Sequence, residues 1–145
     1  MTGFRPYSPA DRDACLALFD ANCPAFFAPN ERADYAAFLD GAPDGYEVCE
    51  QAGRVVGAFG LVIDARDGAG LNWILLDPAA QGMGLGSSIM TRVISRARAS
   101  EVDRIRIAAS HKSAPFFEKF GAVATARMED GWGPGMTRVD MELLL

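Results

Sequence analysis

With 145 residues, half of them hydrophobic and 23% charged, the chain can fill one core and lacks the polar bias of a disordered protein. A formal charge of -5 and a pI near 4.8 argue against DNA or RNA as a main partner, because that binding rests on Lys and Arg clustered against phosphate. No stretch reaches the roughly 20 apolar residues of a membrane span and no signal-like apolar run opens the chain, so one cytoplasmic domain over residues 1–145 is expected.

Cys15, Cys23 and Cys49 are an odd set without C-x-x-C spacing, so buried free thiols are expected and no metal site is. Residues 3–7 have strand character, and Ser8-Pro9 reads as the N-cap and first position of a helix. Its apolar residues Cys15, Leu16, Leu18 and Phe19 recur at helical spacing as far as residues 22–24. Pro29-Asn30-Glu31 opens a second helix, with Tyr35, Phe38 and Leu39 on one face and Gly41 at its end. Residues 46–51 and 55–63 flank the tight turn Ala52-Gly53, a hairpin signal. After Asp67-Gly68-Ala69-Gly70, read as a turn, residues 71–76 form a third strand that Asp77-Pro78 halts. An antiparallel meander over 46–77 follows.

Helical spacing returns after Gly84: Leu85, Ile89, Val93 and Ala97 make one apolar stripe on a helix to about Ser100, with Arg92, Arg96 and Arg98 largely on other faces. Residues 103–108 read as a strand, 113–120 as a short helix closed by Gly121, and 122–128 and 137–144 as two more strands. The glycine-rich 130–135 between them reads as a loop. Together these predict an α/β (α+β) fold, a mixed and mostly antiparallel sheet of about seven strands flanked by about four helices.

The sharpest functional signal is Gln81-Gly82-Met83-Gly84-Leu85-Gly86, between an apolar strand and a helix. Its glycines leave backbone N–H groups bare at a helix N-terminus, where first-turn donors lack partners and attract phosphate oxygens. A turn that only lets the helix pack closely is the plain alternative. A Walker loop fails because the segment has no lysine. A dinucleotide fingerprint fails because Ser87 stands where Gly or Ala is needed and residues 77–81 separate the loop from its strand.

Gln81-x-x-Gly84-x-Gly86, after Leu76-Asp77-Pro78, resembles motif A of the GNAT superfamily of N-acetyltransferases. Ala109-Ser110-His111-Lys112-Ser113-Ala114-Pro115-Phe116-Phe117-Glu118-Lys119-Phe120-Gly121-Ala122 resembles its motif B, in the family's order and separation. The resemblance implies the acyl-CoA N-acyltransferase fold, with acetyl-CoA as co-substrate. Its pyrophosphate would lie on the amides of Gly82, Met83, Gly84, Leu85, Gly86, Ser87 and Ser88, beside Gln81. Its pantetheine arm would pair, as an extra strand, with the backbone of Leu75, Leu76 and Asp77, and Ser110, Phe116, Phe117 and Lys119 would line the thiol end. The resemblance also implies that the Leu76 N–H polarises the thioester carbonyl. The family's frequent acid for the departing thiolate is a tyrosine at the position of Phe117, which has no proton to give. Ser110, a water or no acid at all are the replacements, a thiolate of pKa about 8.5 being a fair leaving group.

Alternation along the third meander strand puts Gly70, Asn72, Ile74 and Leu76 on one face. The place where some relatives carry a glutamate base falls on Gly70, which leaves Asn72 to hold a water. His111, Glu31, Glu47 and Asp64 could each face an amine but read more plainly as surface groups. Asn22, Phe26, Phe27 and Trp132 are candidates for the acceptor pocket, Trp132 equally for plain packing. The implied acceptor is a small-molecule or peptide amine. A homodimer through the C-terminal strands is compatible with the architecture and not required by it. A CoA sensor without catalysis, suggested by Phe117, and an interaction module with a structural glycine turn are the rival readings.

Overall fold

The computed structural model describes residues 2–64, 66–80 and 82–145, so Gln81 of the glycine segment lies outside the described residues. The chain runs β1 (Thr2–Pro6), α1 (Arg12–Ala21), α2 (Glu31–Asp40), β2 (Tyr46–Gln51), β3 (Arg54–Asp64), β4 (Gly68–Leu76), α3 (Leu85–Ala99), β5 (Arg104–Ser110), α4 (Ala114–Glu118), β6 (Val123–Gly133) and β7 (Met136–Leu144). One seven-stranded sheet results, in the order β1-β2-β3-β4-β5-β7-β6, antiparallel throughout except for β4 against β5. No helix among the described residues is long and apolar enough to cross a membrane.

Each face of the sheet carries its own core. Leu85, Ile89, Val93 and Ala97, the predicted stripe of α3, join Met90 in packing on Phe59, Leu71, Ile105 and Met141. On the other face Phe19 of α1 and Tyr35 and Leu39 of α2 pack on Tyr46, Val48, Ala58 and Leu75. Cys15 and Cys49 are buried in these cores and Cys23 is half-buried; all three are free thiols. Glu47, expected at the surface, is buried on β2. It is held by Arg92 at 2.6 and 2.9 Å and by Arg96, which supply the counter-charge that a buried carboxylate requires.

Three local readings change. Residues 68–70, expected as a turn, already pair with β3; a Cβ on Gly68 would stand 2.7 Å from the Arg104 carbonyl, so that glycine serves a close backbone approach within the sheet. Residues 130–133, expected as loop, continue β6 as an irregular strand, and the register shifts between Met128↔Arg138 and Gly133↔Met136. The third change shapes the site. The β3–β4 register slips between Ala58↔Leu75 and Gly60↔Asn72, and Trp73, with φ 43°, forms a bulge. A bulge reverses side-chain alternation. Ile74 and Leu76 therefore join the α3 face, while Trp73 and Leu75 join the α1–α2 face and Asn72 lies over Gly60 beside Tyr46. Asn72 and Leu76 do not share a face.

Candidate active site

Parallel pairing of β4 with β5 ends at Leu71↔Ile107. Beyond it β4 stays on β3 as far as Gly57↔Leu76 and β5 stays on β7 as far as Ser110↔Arg138, so the two strands part and leave a wedge in mid-sheet. The wedge opens into a cleft of about 330 Å³. Its walls are residues 71–76, the end of β5, Phe116 and Phe117 of α4, Asn22, Phe26 and Phe27 after α1, Glu31 of α2, and Trp132 of β6.

The bulge that parts the strands is anchored from behind. Tyr46 donates its hydroxyl proton to the Trp73 carbonyl at 2.7 Å, which makes Tyr35 the donor in the 2.7 Å contact between the two hydroxyls. The Trp73 ring packs on Tyr35 at 4.8 Å, tilted by 34°, and stacks on Phe27 at 6.2 Å. This bond and this stacking offset the strain of a bulky residue at positive φ, of order 1–3 kcal/mol.

Past the bulge the Asp77 N–H donates to Val56 O at 2.8 Å. Antiparallel alternation then turns the N–H and C=O of Leu76 away from β3 and into the wedge. The expected pairing through Leu75, Leu76 and Asp77 narrows to Leu76, since Leu75 pairs with β3 and Asp77 gives its N–H to Val56 O while its C=O accepts the Ala80 N–H. Asn22 Nδ2 donates both to Leu76 O and to Leu18 O, each at 2.8 Å.

The glycine segment stands at the mouth of the wedge with two jobs divided among its glycines. Gly82 and Gly84 take φ of 82° and 76°, and nothing lies within 4 Å of where their Cβ atoms would be. At Gly86 a Cβ would stand 2.7 Å from the Phe116 ring, so this glycine seats α4 on α3. Of the amides at 82–88, Met83 N–H donates to Ala80 O and Ser88 N–H to Gly84 O. The first-turn amides of Leu85, Gly86 and Ser87 precede any carbonyl inside α3 and find no acceptor among the described residues. Lys119, expected at the thiol end, is exposed and does not line the cleft, whereas Phe116 and Phe117 do.

Ser110 is buried at the cleft wall, its Oγ accepting the Ser113 N–H at 3.2 Å and lying 3.2 Å from Ser113 Oγ. His111 is tied to β7: Thr137 N–H donates to its Nδ1 at 3.2 Å and its own N–H to Thr137 O. Asn72 lines the cleft, but its Oδ1 is buried without a hydrogen-bond partner among the described residues. Trp132 both lines the cleft and packs: its Nε1 donates to Ala109 O at 2.8 Å, Arg138 stacks over its ring at 4.9 Å, and its carbonyl accepts from Asn30 Nδ2. Asp64 is exposed at the end of β3. Glu31, read from sequence as a surface charge, is buried in the cleft wall, where burial raises its carboxyl above the usual range and Asp34 adds to the rise. The Ala28 N–H, donated to its Oε2 at 2.8 Å, opposes that shift. No cysteine lines the cleft among the described residues, and burial pushes Cys15 up to about 11 and Cys49 up to about 12.

Sequence reasoning missed the Trp73 bulge, its tyrosine anchor and the Asn22 bridge to Leu76. A bulge leaves no spacing signature; an aromatic residue amid aliphatic ones at 71–76 was the one trace of it.

A family model described as the acetyltransferase (GNAT) family matches residues 15–122. The chain is 30% identical over 86 residues to a glucosamine 6-phosphate N-acetyltransferase of Trypanosoma brucei brucei, a match that takes in 54% of this chain and 58% of that one. The chain thus spans little more than half the length of the curated relative it matches. The ribosomal-protein-S18-alanine N-acetyltransferase of Escherichia coli superposes with a TM-score of 0.78 at 17% identity, covering 99% of this chain and 94% of that one. The yncA protein of Salmonella typhimurium, solved with its cofactor acetyl-CoA, does so at 0.73 and 20% identity, covering 100% and 94%. At such identities the structural likeness shows the fold. The family match itself runs from α1 through β4, the start of α3 and α4 to Ala122, and on that ground the chain belongs to the acetyltransferase (GNAT) family.

Proposed function

We propose that the protein moves the acetyl group of acetyl-CoA directly to a primary amine, a small molecule or a peptide N-terminus. The carrying observation is the wedge between β4 and β5, with both polar groups of Leu76 turned into it beside a helix start that offers free amides. The residues present fit this co-substrate. Leu85, Gly86 and Ser87 would hold the pyrophosphate across the open space at Gly82 and Gly84, and Met83 and Ser88 would border it. Leu76 would pair with the pantetheine arm and its N–H would polarise the carbonyl, while Phe116, Phe117 and Ser110 would surround the sulfur.

Direct transfer is supported by the groups that line the cleft. It holds no thiol among the described residues, Ser110 is bound to Ser113, and the Nδ1 of His111 is occupied by Thr137, so no nucleophile and base stand paired for an acyl-enzyme. The neutral amine forms the N–C bond, the C–S bond breaks, the thiolate departs with a hydrogen bond from Ser110, and the amine proton goes to water. One relative's name points to an amino sugar phosphate and a neighbour's to a protein N-terminal alanine; the shared chemistry is a primary amine. The three free thiols suit the reducing cytoplasm that the sequence suggested.

The competing reading, a CoA sensor, rests on Phe117, a buried ring without a hydroxyl. Calorimetry with acetyl-CoA and thiol release over an amine panel decide between them. No binding at millimolar acetyl-CoA sinks the donor assignment, and binding without amine-dependent thiol release leaves the sensor.

A further inference from the structure

Glu31 is 5% exposed and lines the cleft together with the rings of Phe26, Phe27, Trp73 and Trp132. A carboxylate in apolar surroundings is strongly disfavoured unless a cation or several donors meet it. It receives one hydrogen bond, from Ala28 N–H to Oε2, and its carboxylate makes no ion pair among the described residues. The charge that acts on it is that of Asp34, of the same sign. Oε1 accepts nothing from the described residues. Because Asn72 Oδ1 is the one fully buried side-chain nitrogen or oxygen without a partner among those residues, Oε1 keeps some exposure, in a residue that lines the cleft.

We propose, resting on the amine-acetylating reading above, that Glu31 receives the ammonium of the acceptor, and that the acceptors are cationic amines with an apolar or aromatic body. Oε1 supplies the counter-charge and the aromatic faces add cation–π attraction. The ammonium gives its proton to water before it attacks, so Glu31 binds the acceptor and does not react. A phosphorylated amine suits this wall poorly: among the described residues lining the cleft Lys112 is the one Lys or Arg, it is exposed, and a phosphate there would share the space with the Glu31 carboxylate.

Calorimetry with 2-phenylethylammonium and with uncharged 2-phenylethanol, on wild type and Glu31→Gln, tests this. Glutamine still accepts the Ala28 N–H, so the loop keeps its internal bond. The ammonium is expected to bind the variant at least tenfold more weakly, the alcohol to bind both within twofold, and acetyl-CoA affinity to stay the same. Equal ammonium affinity for both proteins overturns the proposal. So does a variant that loses ammonium, alcohol and acetyl-CoA together, which makes Glu31 a loop clamp, and so does tighter wild-type binding of glucosamine 6-phosphate than of 2-phenylethylammonium. Glu31-dependent ammonium binding in a protein that neither binds acetyl-CoA nor releases thiol sinks the acetylating reading and leaves a cation site. Amine turnover without Glu31 dependence sinks only the present proposal.

Discussion

The two flanks of the cleft are built by different means. On the flank proposed for the donor the polar groups are backbone ones, the first-turn amides of α3 and the N–H and C=O of Leu76, and side chains serve mainly to pack, as Phe116 does on Gly86. On the flank proposed for the acceptor the groups are side chains from distant parts of the chain: Asn22 and Phe26 after α1, Glu31 on α2, Trp73 on the bulge and Trp132 on β6. Backbone recognition depends on local conformation, so a few residues at fixed spacing suffice for it. Side-chain recognition depends on which elements meet in space.

Variants on each flank sharpen or break this contrast. The largest effect is expected for Gly84→Glu, which forces a side chain to φ 76° and sets a carboxylate at the start of α3. Acetyl-CoA affinity measured by calorimetry should fall about 100-fold, about 2.7 kcal/mol; a change under threefold would move the phosphates elsewhere. Tyr46→Phe keeps the ring and leaves Trp73 O without its donor. Urea unfolding should show a loss of about 1–3 kcal/mol, and kcat should fall about tenfold as the wedge edge shifts. Ile105→Val, a core change of about 0.5–1.5 kcal/mol at the end of the β4–β5 pairing remote from the wedge, is the control. An equal fall in its kcat would make the Tyr46 effect one of stability alone.

Ser110→Ala should lower kcat less than tenfold and leave acetyl-CoA affinity nearly intact. A fall of 100-fold or more, the range of true general acids, would make Ser110 the missing proton donor. The smallest effect concerns stability and pH. Burial holds the folded Glu31 carboxyl above the ordinary value of 4.5, so wild type is favoured below that value and loses the advantage as pH rises through the folded value. Glu31→Gln has no such loss. Its melting midpoint relative to wild type should therefore climb from pH 4 to pH 7, and parallel curves would show that Glu31 carries no burial penalty.

The order of elements and the α3 stripe were legible because periodicity is a local property, visible in Leu85, Ile89, Val93 and Ala97. The place of the glycine segment at the start of α3 was legible for the same reason. Residues 130–133 misled because glycine marks turns and bulged strands alike. Alternation through β4 failed at Trp73, where one bulge reversed the parity that placed Asn72 with Leu76. Glu31 misled because glutamate is seldom buried, a rule that binding sites break when a ligand supplies the missing charge. Glu47 broke the same rule, with Arg92 and Arg96 one helical turn apart on α3 as the only trace.

Asn22 ties the two flanks together. Its Nδ2 holds Leu76 O on the wedge edge, while its own carbonyl receives the N–H groups of Phe26 and Phe27, from which the acceptor wall hangs. A pantetheine amide paired with Leu76 O, as proposed above, would share that oxygen with Asn22 or displace it, and either adjustment would reach the Phe26–Phe27 turn through one residue. Linkage is reciprocal, so whatever factor the donor imposes on amine affinity, the amine imposes on donor affinity. Under the proposed function the two dissociation constants would be properties of a pair, each to be measured with the other ligand both present and absent.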